Sequence, residues 1–222
     1  MATPFTFVTV KFLFAIMQPY FIPYIGYFQL INAVDKFVIY DDVNYIKRGW
    51  INRNRILING NASLLTMPLL KASQNRLIND ININNASDWK LKFTKSIEQS
   101  YKKAPFYNDV YNLIEEVLAF KTENASEFIV ASLGAICRFM KIDTEIELSS
   151  SIYSNTDLSG PLRILDICLQ EGASTYINPI GGVELYDAIP FHDKSVDLKF
   201  IQSTVVEYDQ FKEEFVPWLS II

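Results

Sequence analysis

Between positions 41 and 55 the chain reads Asp41-Asp42-Val43-Asn44-Tyr45-Ile46-Lys47-Arg48-Gly49-Trp50-Ile51-Asn52-Arg53-Asn54-Arg55, two carboxylates followed by four cations set among amides and rings. A guanidinium grips phosphate or carboxylate through paired hydrogen bonds, so Arg48, Arg53 and Arg55 are candidates for holding an anionic ligand. Asp41 and Asp42 are candidates for a general base, or for oxygen ligands to a divalent cation, and Lys47 joins them as a candidate catalytic group. A carboxylate beside arginines is held below its usual pKa, which suits an anchor better than a proton acceptor. A solvated surface whose charges pair with one another has the same composition, and spacing leaves both readings open.

Other chemistries have less support. One histidine, His192, and two dispersed cysteines, Cys137 and Cys168, do not make a zinc set, so no residue is assigned as a metal ligand beyond that divalent-cation option. A Ser-His-Asp triad would have to rest on His192, and nothing near it resembles a nucleophile elbow. Both cysteines fall on apolar, helix-like stretches and read as buried free thiols of a reduced, cytoplasmic protein.

The elements that position the charged stretch follow from periodicity. Lys36-Phe37-Val38-Ile39-Tyr40 is a buried strand rich in β-branched and aromatic residues. Phe12 to Ile16 is another, and the two prolines and one glycine between Met17 and Phe28 force a loop before a short helix over Phe28 to Val34. Strand, loop, helix, strand is a βαβ unit, whose first loop lies at the edge where ligands are met. Gln18, Tyr20 and Tyr24 sit in that loop, where the tyrosines face a ligand ring or merely pack the prolines. The expectation is one wet hollow, shared by these residues with Tyr45, Trp50, Asn52 and the charges of 41–55. There is no Gly-rich phosphate fingerprint, which disfavours an ordinary dinucleotide site.

Further along, Asn59-Gly60 supplies the turn of a β-hairpin near 55–68. Leu77 to Ile83 reads as a short strand. Helices follow from Ser87 or Asp88 as cap to about Lys103, over Tyr107 to Phe120, and over Ala125 to Met140 with Asn124 or Ser126 as cap, a helical layer spanning 87–140. A strand at Glu145 to Leu148 precedes a helix from Gly160 to Gly172, with Pro161 in its first turn, that carries Arg163. The strand from Ala173 to Ile177 ends at Asn178-Pro179-Ile180-Gly181-Gly182, where the glycines either let a ligand approach the backbone or only turn the chain. Val196 to Ile201 is the last strand. The fold class is α/β, a mostly parallel or mixed sheet with flanking helices in a single domain over 1–222. Strand order is not legible.

Half of the residues are hydrophobic (50%) and 20% are charged, so a sizeable core is available. A net charge of −5 argues against nucleic acid or an anionic membrane as partner, while leaving room for a small anionic substrate. The N-terminus is apolar but lacks the basic opening and small-residue cleavage site of a signal peptide, and no apolar run reaches the length of a membrane span. The first ten or so residues read as foreign or as a misassigned start. The apolar C-terminus carries no helix stop and reads as cut short.

Several stretches together carry a family resemblance. Met17-Gln18-Pro19-Tyr20-Phe21-Ile22-Pro23-Tyr24-Ile25-Gly26-Tyr27-Phe28 comes first, then Tyr40-Asp41-Asp42-Val43, Lys47 through Ile56, and Leu65-Thr66-Met67-Pro68. Tyr101 to Phe106, Arg163 to Cys168, Gly181-Gly182 with Tyr186, Tyr208-Asp209-Gln210 and Phe215 to Ile221 complete the set. In these, from about Phe12 onward, the chain resembles the WbqC-like protein family. The resemblance implies a bacterial protein of O-antigen, lipopolysaccharide or other surface-polysaccharide biosynthesis. It also implies a glycine or aminoacyl transferase that N-acylates a nucleotide-linked amino sugar. Gln18 and Asn52 would then fix sugar or amide groups, and Tyr20, Tyr24 and Trp50 would pack against a ring. Many members carry histidine where this chain has Met17, and in the region of Phe93. A general base at either place is missing here, which favours the alternative of a non-catalytic nucleotide-sugar or acyl-donor binding protein. The family also continues past Leu219-Ser220-Ile221-Ile222, and a shorter tail bears on a homo-oligomer contact.

Overall fold

A computed structural model describes residues 11–211 and 214–222. The N-terminal stretch expected to be foreign lies, up to residue 10, outside them. β1 (Leu13–Met17) leads through the proline loop to α1 (Ile25–Asn32) and β2 (Lys36–Ile39). β3 (Arg53–Ile58) and β4 (Asn61–Thr66) form the hairpin, followed by the short pair β5 (Leu69–Leu70) and β6 (Asn82–Ile83). The helical layer is α2 (Trp89–Tyr101), α3 (Tyr107–Ala119) and α4 (Ala125–Met140). Then come β7 (Glu145–Glu147), α5 (Gly160–Gln170), β8 (Thr175–Pro179), α6 (Ala188–Asp193) and β9 (Asp197–Ile201).

Five of these strands build one parallel sheet in the order β7-β2-β1-β8-β9, flanked by helices, with the antiparallel hairpin separate from it. Ranked along the chain, the order is 3-2-1-4-5, so the order of connection reverses between β1 and β8. In an open parallel sheet a crevice opens at that reversal, beyond the carboxyl ends of the strands. Gln18 follows β1 there, and Gly181 and Gly182 follow β8.

The period-two alternation of the strands divides the core. Ala15, Phe37 and Ile39 face one way, against α1, Phe93, Phe128 and Ile129, while Phe14, Ile16 and Val38 face the other, against α5, Tyr176 and Phe191. Every one of these side chains is buried.

Local departures have local causes. α1 begins at Ile25, earlier than its apolar spacing predicts, because Gly26 serves close packing rather than breaking the helix. A Cβ at Gly26 would lie 2.3 Å from Ser203 Oγ and from the Tyr24 ring. The predicted strand over Leu77 to Ile83 is a 3-10 turn at Ile78–Asp80 running into β6. Its amides at Ile78 and Asn79 donate instead to the carbonyls of Val43 and Asp41. Neither Ser87 nor Asp88 caps α2 through its side chain, since Ser87 Oγ donates back to the Asn84 carbonyl. α4 is capped as expected by Asn124, which accepts from the Glu127 amide at 3.1 Å. Among the described residues no helix is long and apolar enough to cross a membrane.

Candidate functional site

Where the proline loop meets β3 lies a hollow of about 200 Å³ lined by Tyr20, Tyr24, Trp50, Asn54, Arg55 and Trp218. Strand alternation places Arg53 and Arg55 on one side of β3 and turns Asn54 to the other. The Arg55 guanidinium lies 5.5 Å from the centre of the Trp50 ring, within cation–π range. Tyr24 meets Trp218 edge-on at 5.8 Å. Burial, with Tyr24 nearby, raises the pKa of Tyr20, so its hydroxyl stays protonated and can donate. Arg55 Nη2 donates to the Trp218 carbonyl at a long 3.4 Å, and Arg55 Nε is buried with no partner among the described residues. A buried donor without an acceptor costs about 1–3 kcal/mol, so this one calls for a reason.

The hollow is held by a strained turn. Ile22 has φ of 41°, which a β-branched residue adopts only when its surroundings impose it. Asn54 Nδ2 donates to the carbonyls of Phe21 (3.1 Å) and Ile22 (2.9 Å), and Ser220 Oγ donates to Ile22 as well (2.7 Å). The final segment is laid alongside: the Ser220 amide donates to the Arg55 carbonyl (2.7 Å) and the Ile221 amide to Pro23 (3.0 Å). These bonds satisfy the turn and deliver Trp218 to the hollow.

The rest of the basic arm is mostly scaffold. Arg53 folds back, with Nε donating to the Gly49 carbonyl at 3.1 Å and Nη2 to that of Arg48. Asn52 donates to the Met67 carbonyl (2.8 Å) and accepts from the Tyr45 hydroxyl (2.9 Å), joining the arm to the hairpin's end. Lys47 and Arg48 are exposed, Arg48 in the left-handed region at φ 62°.

The two carboxylates do not line the hollow. Asp41, only 3% exposed, accepts from Ser149 Oγ (2.6 Å) and Ser126 Oγ (2.7 Å). Burial lifts its pKa above the ordinary 3.8, against the hydroxyl bonds that favour the charged form. The depression expected beside arginines is absent because Asp41 faces serines. Asp42 accepts from Ser150 Oγ and, at 2.5 Å, from Nη2 of Arg163 on α5. Arg163 is itself buried; burial opposes its charge, and Asp42 outweighs this and raises its pKa. Its Nε donates to Asn155 (2.9 Å), and its guanidinium packs 5.2 Å from the Tyr40 ring centre. Among the described residues no group of three or more His, Cys, Asp or Glu is placed to hold a metal ion.

At the β8 end, Gly182 lies against the Asn178 amide, where a Cβ would approach within 3.1 Å. Asn178 Nδ2 donates to the Tyr176 hydroxyl (3.2 Å), which in turn meets that of Tyr186 (3.2 Å). Gly181 is exposed, and Gln18 is half-buried, its carbonyl accepting from the Tyr27 hydroxyl (2.9 Å). Apart from Tyr45, Lys47, Arg48, Asn52 and Arg53 on the arm, the structure sorts the candidates into three places. Tyr20, Tyr24, Trp50 and Arg55 share the hollow; Asp41, Asp42 and Arg163 form a buried polar cluster; Gln18, Gly181 and Gly182 lie at the sheet's carboxyl edge. The single hollow expected to unite them is not what forms. Sequence reading missed Asn54 and Trp218. The amide looked like one more spacer, and the tryptophan approaches from 163 positions away with no local signal.

A five-stranded parallel sheet whose order of connection reverses between β1 and β8, flanked by helices and joined to a separate hairpin, defines an α/β protein. Residues 18–222 match the model of the WbqC-like protein family, and the chain belongs to that family. It is similar, at 30% identity over 211 residues, to Uncharacterized protein Rv1507c of Mycobacterium tuberculosis (strain ATCC 25618 / H37Rv), a match covering 94% of this chain and 90% of that one. No solved structure matches it.

Proposed function

We propose that this protein acts in the cytoplasm in bacterial surface-polysaccharide biosynthesis, O-antigen and lipopolysaccharide included. In this reading it transfers a glycyl or other aminoacyl group to the amine of a nucleotide-linked amino sugar. The observation that carries it is the arginine among four rings at the hollow: stacking surface for a sugar, with one cation for its anionic group. Family membership agrees with it. Asp41, held by Ser126 and Ser149 outside the hollow, and Asp42, tied to Arg163, anchor the segment that carries the basic arm. Lys47 supplies charge on the exposed arm. Gln18, Gly181 and Gly182 stand apart from the hollow, at the sheet's carboxyl edge.

A second reading, a nucleotide-sugar or acyl-donor binding protein that does no chemistry, is favoured by the hollow's lining, which among the described residues offers no carboxylate, thiol or imidazole. Incubation with a nucleotide-linked amino sugar and an aminoacyl donor, followed by mass spectrometry of the sugar, separates the two. An acylated product supports the transferase. Thermal stabilisation by the sugar nucleotide with no product, across donors, supports the binder.

A further inference from the structure

We infer that Arg55 offers its Nε–Nη2 edge to an anionic group borne on a sugar ring, and that this anion replaces the Trp218 carbonyl as the guanidinium's partner. The inference rests on the reading of the hollow as a sugar-derivative site and names how that site recognises its ligand.

The guanidinium has two faces to its chemistry here. Its plane already has a neighbour, the Trp50 ring at 5.5 Å. Its Nε–Nη2 edge, where two N–H bonds run parallel, is the edge that matches the oxygen pair of a carboxylate or phosphate. Among the described residues Nε has no acceptor on that edge and Nη2 has only the 3.4 Å contact to Trp218. Since Nε is closed off from solvent here, an oxygen pair reaches it only as the Trp218 carbonyl gives way. Both N–H groups are therefore supplied and neither is well used. Arg53, two residues away, shows the contrast: its Nε and Nη2 are both taken up by backbone carbonyls. An oxygen pair arriving at Arg55 would satisfy both donors at once.

The ring requirement comes from what surrounds that edge. Tyr20, Tyr24, Trp50 and Trp218 leave about 200 Å³ between them. Such space suits a pyranose better than a bare ion, because ring C–H groups pack on aromatic faces. Trp218 is 46% exposed and sits at φ 61°, with its carbonyl on Arg55 and its ring against Tyr24. Loss of the Arg55 contact frees its carbonyl to turn to water while Ser220 and Ile221 stay bonded to Arg55 and Pro23.

The test is calorimetric titration of the full chain with glucosamine 1-phosphate, glucuronate, methyl glucoside and inorganic phosphate. The first two are expected to bind at least tenfold tighter than the neutral glycoside and than phosphate alone. The stronger of those two identifies phosphate or carboxylate as the source of the anion. Arg55→Lys keeps the charge but not the edge and is expected to lower that affinity at least tenfold. The backbone atoms of Arg55 that Asn54 and Ser220 engage remain, so the variant keeps the wild-type melting temperature. Labelling with 5-fluorotryptophan, with Trp218→Phe to assign the resonance, is expected to show the Trp218 signal moving as the anion binds. Equal binding of the neutral glycoside, unchanged affinity in Arg55→Lys, or a motionless Trp218 signal at saturation would each overturn the inference. Arg55-dependent binding without product formation would leave it standing and remove the transferase reading. Turnover indifferent to Arg55→Lys would do the reverse.

Discussion

Asn54 ties the Ile22 turn to Arg55: its amide nitrogen donates to the Ile22 carbonyl at 2.9 Å, and its amide oxygen accepts from the Arg55 N–H at 2.8 Å. One buried side chain thereby fixes the position of the tyrosine loop relative to β3. The strain at Ile22 is concentrated beside the hollow, where a backbone that relaxed would move Tyr20 and Tyr24 together.

Asn54→Ala is expected to destabilise the protein by about 1–3 kcal/mol, the range for removing the partner of buried backbone groups. The Ile22 carbonyl keeps its bond from Ser220, so folding survives. Ligand affinity at the hollow should fall further than that of a control with equal stability loss, such as Ile56→Val in the core. Urea unfolding and ligand titration on the same samples make the comparison. Equal affinity in the two variants would reduce Asn54 to a packing residue.

The ion pair of Asp42 with Arg163 joins the end of β2 to α5 at nearly complete burial. Arg163→Met leaves a carboxylate buried with only Ser150 and is expected to cost roughly 3–5 kcal/mol, the range for breaking a buried pair from one side. Adding Asp42→Asn removes the stranded charge, so the double variant is expected to be more stable than Arg163→Met alone. Denaturant midpoints of the four proteins test this. A double variant that loses the sum of both single losses would mean the two groups do not interact.

Much of the fold was legible because its signals are local. Asn59 and Gly60 take φ of 50° and 74°, as the hairpin dipeptide foretells, and Gly172 past α5 sits at φ 69°. The separation of the charged stretch into two places was not legible. Whether Arg53 faces a ligand or its own loop depends on where the Gly49 carbonyl points, which spacing does not record. Likewise Asp41 and Arg163 meet partners 108 and 121 positions away, Ser149 and Asp42, and nothing in a linear stretch names them. Strand order has the same cause: parallel pairing is decided by packing between distant elements.

Cys137 and Cys168 are buried free thiols, and burial pushes them up to about 11 and about 12. At pH 8 the thiolate fraction is on the order of one in a thousand or less, and the thiolate is the reacting form. A chromogenic disulfide reagent is therefore expected to titrate no thiol in the native protein over an hour and both thiols in denaturant. Rapid native reaction of Cys137 would show that the α4 face opens.

Asp41 gives the fold a pH dependence opposite to that of an ordinary paired carboxylate. Its folded pKa is raised above 3.8, mainly by burial, so folding favours its protonated form. Below 3.8 the group is protonated whether folded or not and imposes no penalty. As pH climbs through the raised folded value, the folded state must hold a buried charge that the unfolded chain hydrates, and stability falls until that titration is complete. Asp41→Asn removes the titration while still accepting from one serine and donating to the other. Its stability is therefore expected to match the wild type at acid pH and to exceed it at pH 7, with the difference opening between 3.8 and the raised value. Melting temperatures of both proteins from pH 3 to 8 trace that difference. A variant less stable at pH 7 than at pH 4, relative to wild type, would mean that Ser126 and Ser149 stabilise the charged carboxylate more than burial opposes it.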